Sequence, residues 1–172
     1  MAATKAVKMM MMKSESKAKT ESPAKQIAGF IEKFEPKMQK AIREMRVALR
    51  KRFPSAFELV YDNYNFLVFG FCSAPRASDC VVSLAVDANK ASICFIYGKK
   101  LADPEKLLHG GGNQVRFLKL EGPETLKKPG VEKLLKEAEA LGKVPMPLTG
   151  KGETIVKSIS AKQRPRRKDL KE

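Results

Sequence analysis

Residues 57–97 read FELVYDNYNFLVFGFCSAPRASDCVVSLAVDANKASICFIY. Four short runs, 57–61, 66–72, 80–86 and 93–97, are rich in aromatic and β-branched residues, the types that fit a pleated, half-buried surface. Turn chemistry separates them: Asp62-Asn63, then 73–79 with Pro75, then 87–90. Each connection is too short for a crossover helix, so consecutive strands pair antiparallel as a meander. Nearly every residue of the second run is apolar, which predicts a central strand covered on at least one side by helices.

Upstream, a helical stretch spans 24–33, and Glu35-Pro36 opens a second helix with proline at the first helical position, where its missing N–H costs nothing. Met38, Ala41, Ile42, Met45, Ala48 and Leu49 recur every three or four residues, which places them on one face of a helix running to about Arg52. The opposite face carries Lys40, Arg43, Arg50 and Lys51, relieved only by Glu44. Downstream, Asp103 as N-cap, Pro104 and Glu105 in the first turn and Gly110 as the stop predict a compact helix that turns Leu107 and Leu108 inward. Residues 115–120 return to strand character. A last helix spans 129–141, with Val131, Leu134, Leu135, Ala138 and Leu141 on one stripe and Gly142 beyond its end. Runs of strands bracketed by helices predict an α+β fold, with helices on an antiparallel sheet rather than a doubly wound parallel one.

A chain of 172 residues, 43% hydrophobic, is long enough for one ordinary core. Its 34 Lys and Arg against 19 Asp and Glu give a formal charge of +15, which favours anionic partners. The excess is concentrated at the ends: residues 1–24 carry five basic and two acidic groups, and 143–172 carry nine and three. Residues 13–23 alternate Ser, Thr, Lys and Glu with Ala and offer no apolar face to offset ordering entropy. The expected organisation is a disordered basic segment over 1–24, one α+β domain over 25–142 and a basic, partly extended tail over 143–172. Cys72, Cys80 and Cys94 lack CxxC spacing, so neither a disulfide framework nor a zinc site is indicated, and a reducing cytoplasm is the simplest compartment. No stretch has the length or composition of a signal peptide or a membrane span, and no membrane partner is expected.

Candidate chemistry is sparse. Gly110, Gly111 and Gly112, with Arg116 close by, can form an anion-binding nest, although a helix end turning into a strand explains the same glycines. His109, the only histidine, removes any site that needs two. The cysteines lie in or beside apolar strands, where burial as small hydrophobes is the simpler role. No catalytic residue, metal ligand or cofactor is assigned. Tyr61, Asp62 and Tyr64 crowd one strand end, a place where binding sites are built, and turn formation accounts equally for Asp62 and Asn63. Arg164, Arg166 and Arg167 form a basic cluster interrupted by Pro165, either a sequence-blind phosphate-binding arm for nucleic acid or a solvated tail.

The run GKKLADPEKLLHGGG at 98–112, followed by Val115-Arg116, resembles the signature of the YdhG-like family, a domain family of unknown function. Tyr61-Asp62 with the 66–71 strand, and residues 160–167, are similar to one of its subgroups. The resemblance covers about 25–168 and implies a frataxin-like two-layer sandwich, with the N- and C-terminal helices on one face of the sheet. It also implies an iron-chaperone role attached to part of the family. Frataxin-like iron binding uses an acidic ridge, since hard cations want clustered carboxylates, whereas the 36–52 helix shows a basic face, so no iron ligand is carried over. The expectation is a non-enzymatic module for a small ligand or a protein, working at the sheet end near Tyr61, Tyr64 and Arg116. Nucleic-acid association through the basic ends and iron carriage are the alternatives.

Overall fold

The computed structural model describes residues 21–167. Helix α1 (Pro23–Glu32) starts at Ser22, whose side chain accepts a hydrogen bond from the Lys25 amide at 3.3 Å, satisfying a donor that every helix start leaves open. Helix α2 (Pro36–Arg52) has proline in its first turn, as its sequence predicts. Strands β1 (Phe57–Asp62), β2 (Leu67–Cys72), β3 (Cys80–Val86) and β4 (Ala91–Phe95) form the expected meander, and β5 (Arg116–Leu120), reached by a longer connection, pairs antiparallel with β4. Helix α3 (Pro129–Ala140) follows. No helix among the described residues is long and apolar enough to cross a membrane.

The sheet has a sixth strand, β6 (Thr154–Ile159), which pairs parallel with β1 and gives the order β5-β4-β3-β2-β1-β6. The sheet is therefore mixed rather than wholly antiparallel, and the folded unit runs past residue 142. Its physical cause is the open edge of β1 met by a suitable run: Thr154, Ile155 and Val156 are β-branched, and beside β1 they become half-buried and cover that edge. Approach to β1 is led by Gly152, where a Cβ would overlap the Ala56 carbonyl. At the other terminus, residues 1–20 of the segment expected to be disordered lie outside the described residues, and its last positions, from Pro23, already belong to α1.

The compact helix expected after Asp103 is a loop instead. The Asp103 carboxylate accepts the Leu107 amide at 2.9 Å and the Leu108 amide at 2.8 Å, while Lys106 adopts a left-handed φ of 53° that stops a helix from propagating. His109 then bridges to Phe117 through two backbone hydrogen bonds, so it precedes a strand pairing rather than ending a helix.

One core joins the helices to one face of the sheet. Ile27, Phe30 and Ile31 of α1, Ile42, Met45 and Leu49 of α2, and Val131, Leu134 and Leu135 of α3 pack with Val60, Phe69, Phe71, Leu84, Ile93 and Phe95. By strand alternation Leu59, Tyr61, Gly70, Cys72 and Cys94 occupy the other face; a register irregularity at Phe71 and Cys72 sets Cys80 opposite Cys72, and Leu59, Cys72 and Cys80 form a small second cluster there with Tyr61 against it.

Candidate functional site

Alternation along β1 turns Glu58, Val60 and Asp62 toward the helices, so two carboxylates enter the helix-facing layer. Glu58 is met by Arg46 at 2.7 Å, Arg50 at 3.0 Å and the Thr154 hydroxyl at 2.8 Å. Burial pushes its carboxyl up, but hydrogen bonds and charge from Arg46, with Thr154 and Arg50 adding to them, outweigh burial and hold it below the ordinary carboxylate value. Arg50 thus turns inward, not outward as its helix position suggested, and also donates to the Ala56 carbonyl at 2.7 Å. Lys40, Arg43 and Lys51 do remain exposed on α2.

Asp62, whose side chain is 1% exposed, is the centre of a second cluster at the opposite end of the same strand. Lys33, just past α1, donates to it at 2.6 Å and to Gln163 at 2.9 Å. Arg166 reaches the other carboxylate oxygen at 3.4 Å, donates to the Asn63 carbonyl at 2.7 Å and to the Asn65 carbonyl, and lies over the Phe34 ring. Arg167 donates to the Phe34 carbonyl at 3.0 Å and the Glu32 carbonyl at 2.6 Å. The Arg164 amide bonds the Tyr64 carbonyl at 2.9 Å, and its guanidinium sits 5.7 Å from the Tyr64 ring centroid. The segment after β6 is therefore a latch across the Asn63–Phe66 turn and the α1–α2 junction. Its arginines were expected to be either a phosphate-binding arm or a solvated tail; instead Arg166 is 4% exposed, and Arg166 and Arg167 are bound to protein groups.

The expected site residues divide accordingly. Asp62, Tyr64, Arg164, Arg166 and Arg167 come together at this end of the sheet. Tyr61 belongs to the other face, where its hydroxyl is buried without a partner and its pKa is raised by burial first and then by Cys72 and Cys80. Arg116 starts β5, separated from β1 by three intervening strands and at the other end of the sheet, so it shares no site with Tyr61 or Tyr64. It donates to the carbonyls of Gly112 at 2.6 Å and Val115 at 2.8 Å, bracing the glycine loop. Gly110 has a φ of 115°, Gly111 and Gly112 are exposed, and a Cβ on either would meet nothing.

Two grooves open at the latch end, one on each side of the turn that connects β3 to β4. The first, about 640 Å³, is lined by Asn65, Phe66, Asp87, Ala88, Asn89, Arg164 and Pro165. The second, about 670 Å³, runs between the start of α2 and the ends of β4 and β5 and shares Ala88 and Asn89 with the first. Both volumes fall in the range of small-molecule sites. The turn between them is fixed by the Asp87 carboxylate, which accepts the Asn89 amide at 2.8 Å and the Lys90 amide at 3.0 Å. Sequence reasoning found Asp87 and Lys90 only as turn residues; nothing in their spacing indicates that the α2 start lies beside them.

Chemistry elsewhere is muted. Cys80 has its pKa raised by its hydrogen-bonding neighbour Cys72 and by desolvation, and burial raises Cys94, so neither thiol is poised as a thiolate. His109 is exposed, its ring 5.9 Å from that of Phe117. Among the described residues, no three of the His, Cys, Asp and Glu side chains gather as a metal site would require. Comparison with known proteins gives no matching family model, curated protein or solved structure. The site rests on its own geometry.

Proposed function

We propose that the protein is a non-enzymatic binding module of the YdhG-like kind, taking a small anionic ligand at the latch end of the sheet. The observation that carries this reading is how the cations are sorted there. Lys33, Arg166 and Arg167 are committed to Asp62 and to backbone carbonyls. Lys37, Lys90 and Arg164 border the two grooves and pair with no carboxylate among the described residues. Unpaired cations around concave surface attract and hold an anion. The raised thiols and the single exposed histidine supply no activated nucleophile, which favours binding over catalysis.

The same geometry weakens the nucleic-acid alternative, since two of the three arginines expected to clamp phosphates are turned into the fold. Iron carriage, which rests on the family resemblance, gains no clustered carboxylates from α2. The test is a two-dimensional amide NMR titration with phosphate, citrate and butyrate. Saturable shifts should appear at Asn65, Phe66 and residues 87–90 and should vanish in an Arg164→Glu, Lys90→Glu double variant. Shifts confined to Gly110, Gly111, Gly112 and Arg116, or absent throughout, would sink the proposal.

A further inference from the structure

Cys72 ends β2 and Cys80 begins β3, so the two cysteines close the ladder at the 73–79 connection, at the far end of β2 from the latch. Regular pairing would set Cys72 against Val81; the register irregularity after Phe71 makes Cys80 its partner instead. Directly opposed antiparallel residues have Cα atoms about 4.5 to 5.5 Å apart, inside the range of about 4.4 to 6.8 Å that a disulfide spans. The sulfurs converge as well. A Cβ on Gly70 would lie 3.2 Å from the Cys80 sulfur and 3.6 Å from the Cys72 sulfur, so both thiols fill the space that this glycine leaves open on the outer sheet face. Both are buried and unbridged. Tyr61 packs against them with its hydroxyl buried and unpartnered, a donor available to a sulfur that has lost its proton. Cys94 shares the face, but its register partners are Ser83 and Phe117, and no cysteine stands opposite it.

We infer that Cys72 and Cys80 form a redox-active dithiol that a hydroperoxide converts into a cross-strand disulfide. The site lies apart from the grooves and does not depend on the anion reading. Cys80 is 6% exposed and Cys72 1%, so Cys80 is the sulfur that an oxidant meets, and burial of this degree admits a molecule as small as hydrogen peroxide. The Cys80 thiolate attacks one peroxide oxygen, the O–O bond breaks, and the departing hydroxide takes up the thiol proton as water, leaving a sulfenic acid. The Cys72 sulfur then attacks the Cys80 sulfur, the S–O bond breaks, and the second hydroxide leaves with the Cys72 proton as water. Two thiols lose two electrons between them, and one peroxide becomes two waters. The spacing C-x7-C has no redox signature of its own; the pairing comes from the bulge and from the glycine two residues before Cys72.

The experiment treats the reduced full chain with stoichiometric hydrogen peroxide, alkylates the remaining thiols in denaturant and reads intact mass and a tryptic map. One of the three thiols should remain alkylatable, and the chain should have lost two hydrogens. Cleavage after Arg52, Arg76 and Lys90 should give peptide 53–76 joined to 77–90, with Cys94 free in 91–99, and dithiothreitol should separate the pair. Cys94→Ser should form the bridge at the parental rate, and Tyr61→Phe should form it several-fold more slowly. The bridged chain should melt about 5 °C higher, because a short loop is closed in the unfolded state. Three alkylated thiols, oxygen retained on sulfur, or a bridge that involves Cys94 or a second chain would overturn the inference. So would a lower melting temperature, which would mean that the bridge forms only by distorting the ladder.

Discussion

Glu58 has no solvent exposure, and a carboxylate in that position persists only because Arg46, Arg50 and Thr154 surround it. Replacing it by glutamine keeps the shape but removes the charge that both guanidiniums answer. The two arginines are about a quarter exposed and recover some hydration, so Glu58→Gln should cost about 3 kcal/mol, the low end for a broken buried pair, read from urea unfolding. The pH dependence has a definite sign. Since the folded pKa lies below the reference value of 4.5, the contribution is complete above that value and drains away as pH falls through the lower folded value. The variant should therefore show a shallower loss of stability on acidification than the parent; an equal slope would mean that Glu58 is not the group being titrated. Helical periodicity assigned Arg50 to the solvent face because a pattern along α2 carries no information about an acid buried on β1.

At the scale of elements, the meander and the three principal helices were legible because each rests on a local pattern: alternation, apolar stripes, prolines at helix starts. What escaped was set by contacts distant in sequence. The TIVKSI run alternates weakly, and its value as β6 comes from the open edge of β1, about a hundred residues earlier. Asp103 carries the signature of an N-cap, yet its carboxylate bonds amides four and five residues on and stabilises a loop. The latch is illegible in the sequence for the same reason, since Arg166 looks like a free cation until Asp62 and the carbonyls of Asn63 and Asn65 are placed beside it. Arg166→Ala leaves Asp62 to Lys33 alone and strips two backbone carbonyls of their donor. It should cost about 2 to 3 kcal/mol and speed amide exchange over 63–66 in hydrogen-exchange mass spectrometry. Unchanged exchange there would mean that the arm after β6 does not hold the turn.

Over the whole molecule, the formal +15 is unevenly answered. The pairs that use Glu58 and Asp62 lie inside, where salt reaches them poorly, and the exposed pairs Lys25–Glu21, Lys40–Glu44 and Lys127–Glu124 contribute little individually. Lys40, Arg43 and Lys51 on α2, with Lys37, Lys90 and Arg164 at the grooves, leave a surface that repels itself. Screening that repulsion should stabilise the fold more than it weakens the exposed pairs. Between about 20 mM and about 300 mM sodium chloride the melting temperature should rise by about 3 °C, since the Debye length falls from about 20 Å to about 6 Å. General screening and anion capture part company when salts are compared at equal ionic strength. Self-repulsion responds alike to chloride, acetate and formate, whereas a site that holds a carboxylate adds a saturable increment with the organic anions, and that increment should disappear in the Arg164→Glu, Lys90→Glu variant. A melting temperature that falls with every salt would show instead that the exposed pairs outweigh the repulsion, and the surface cations would then have to be paired in solution.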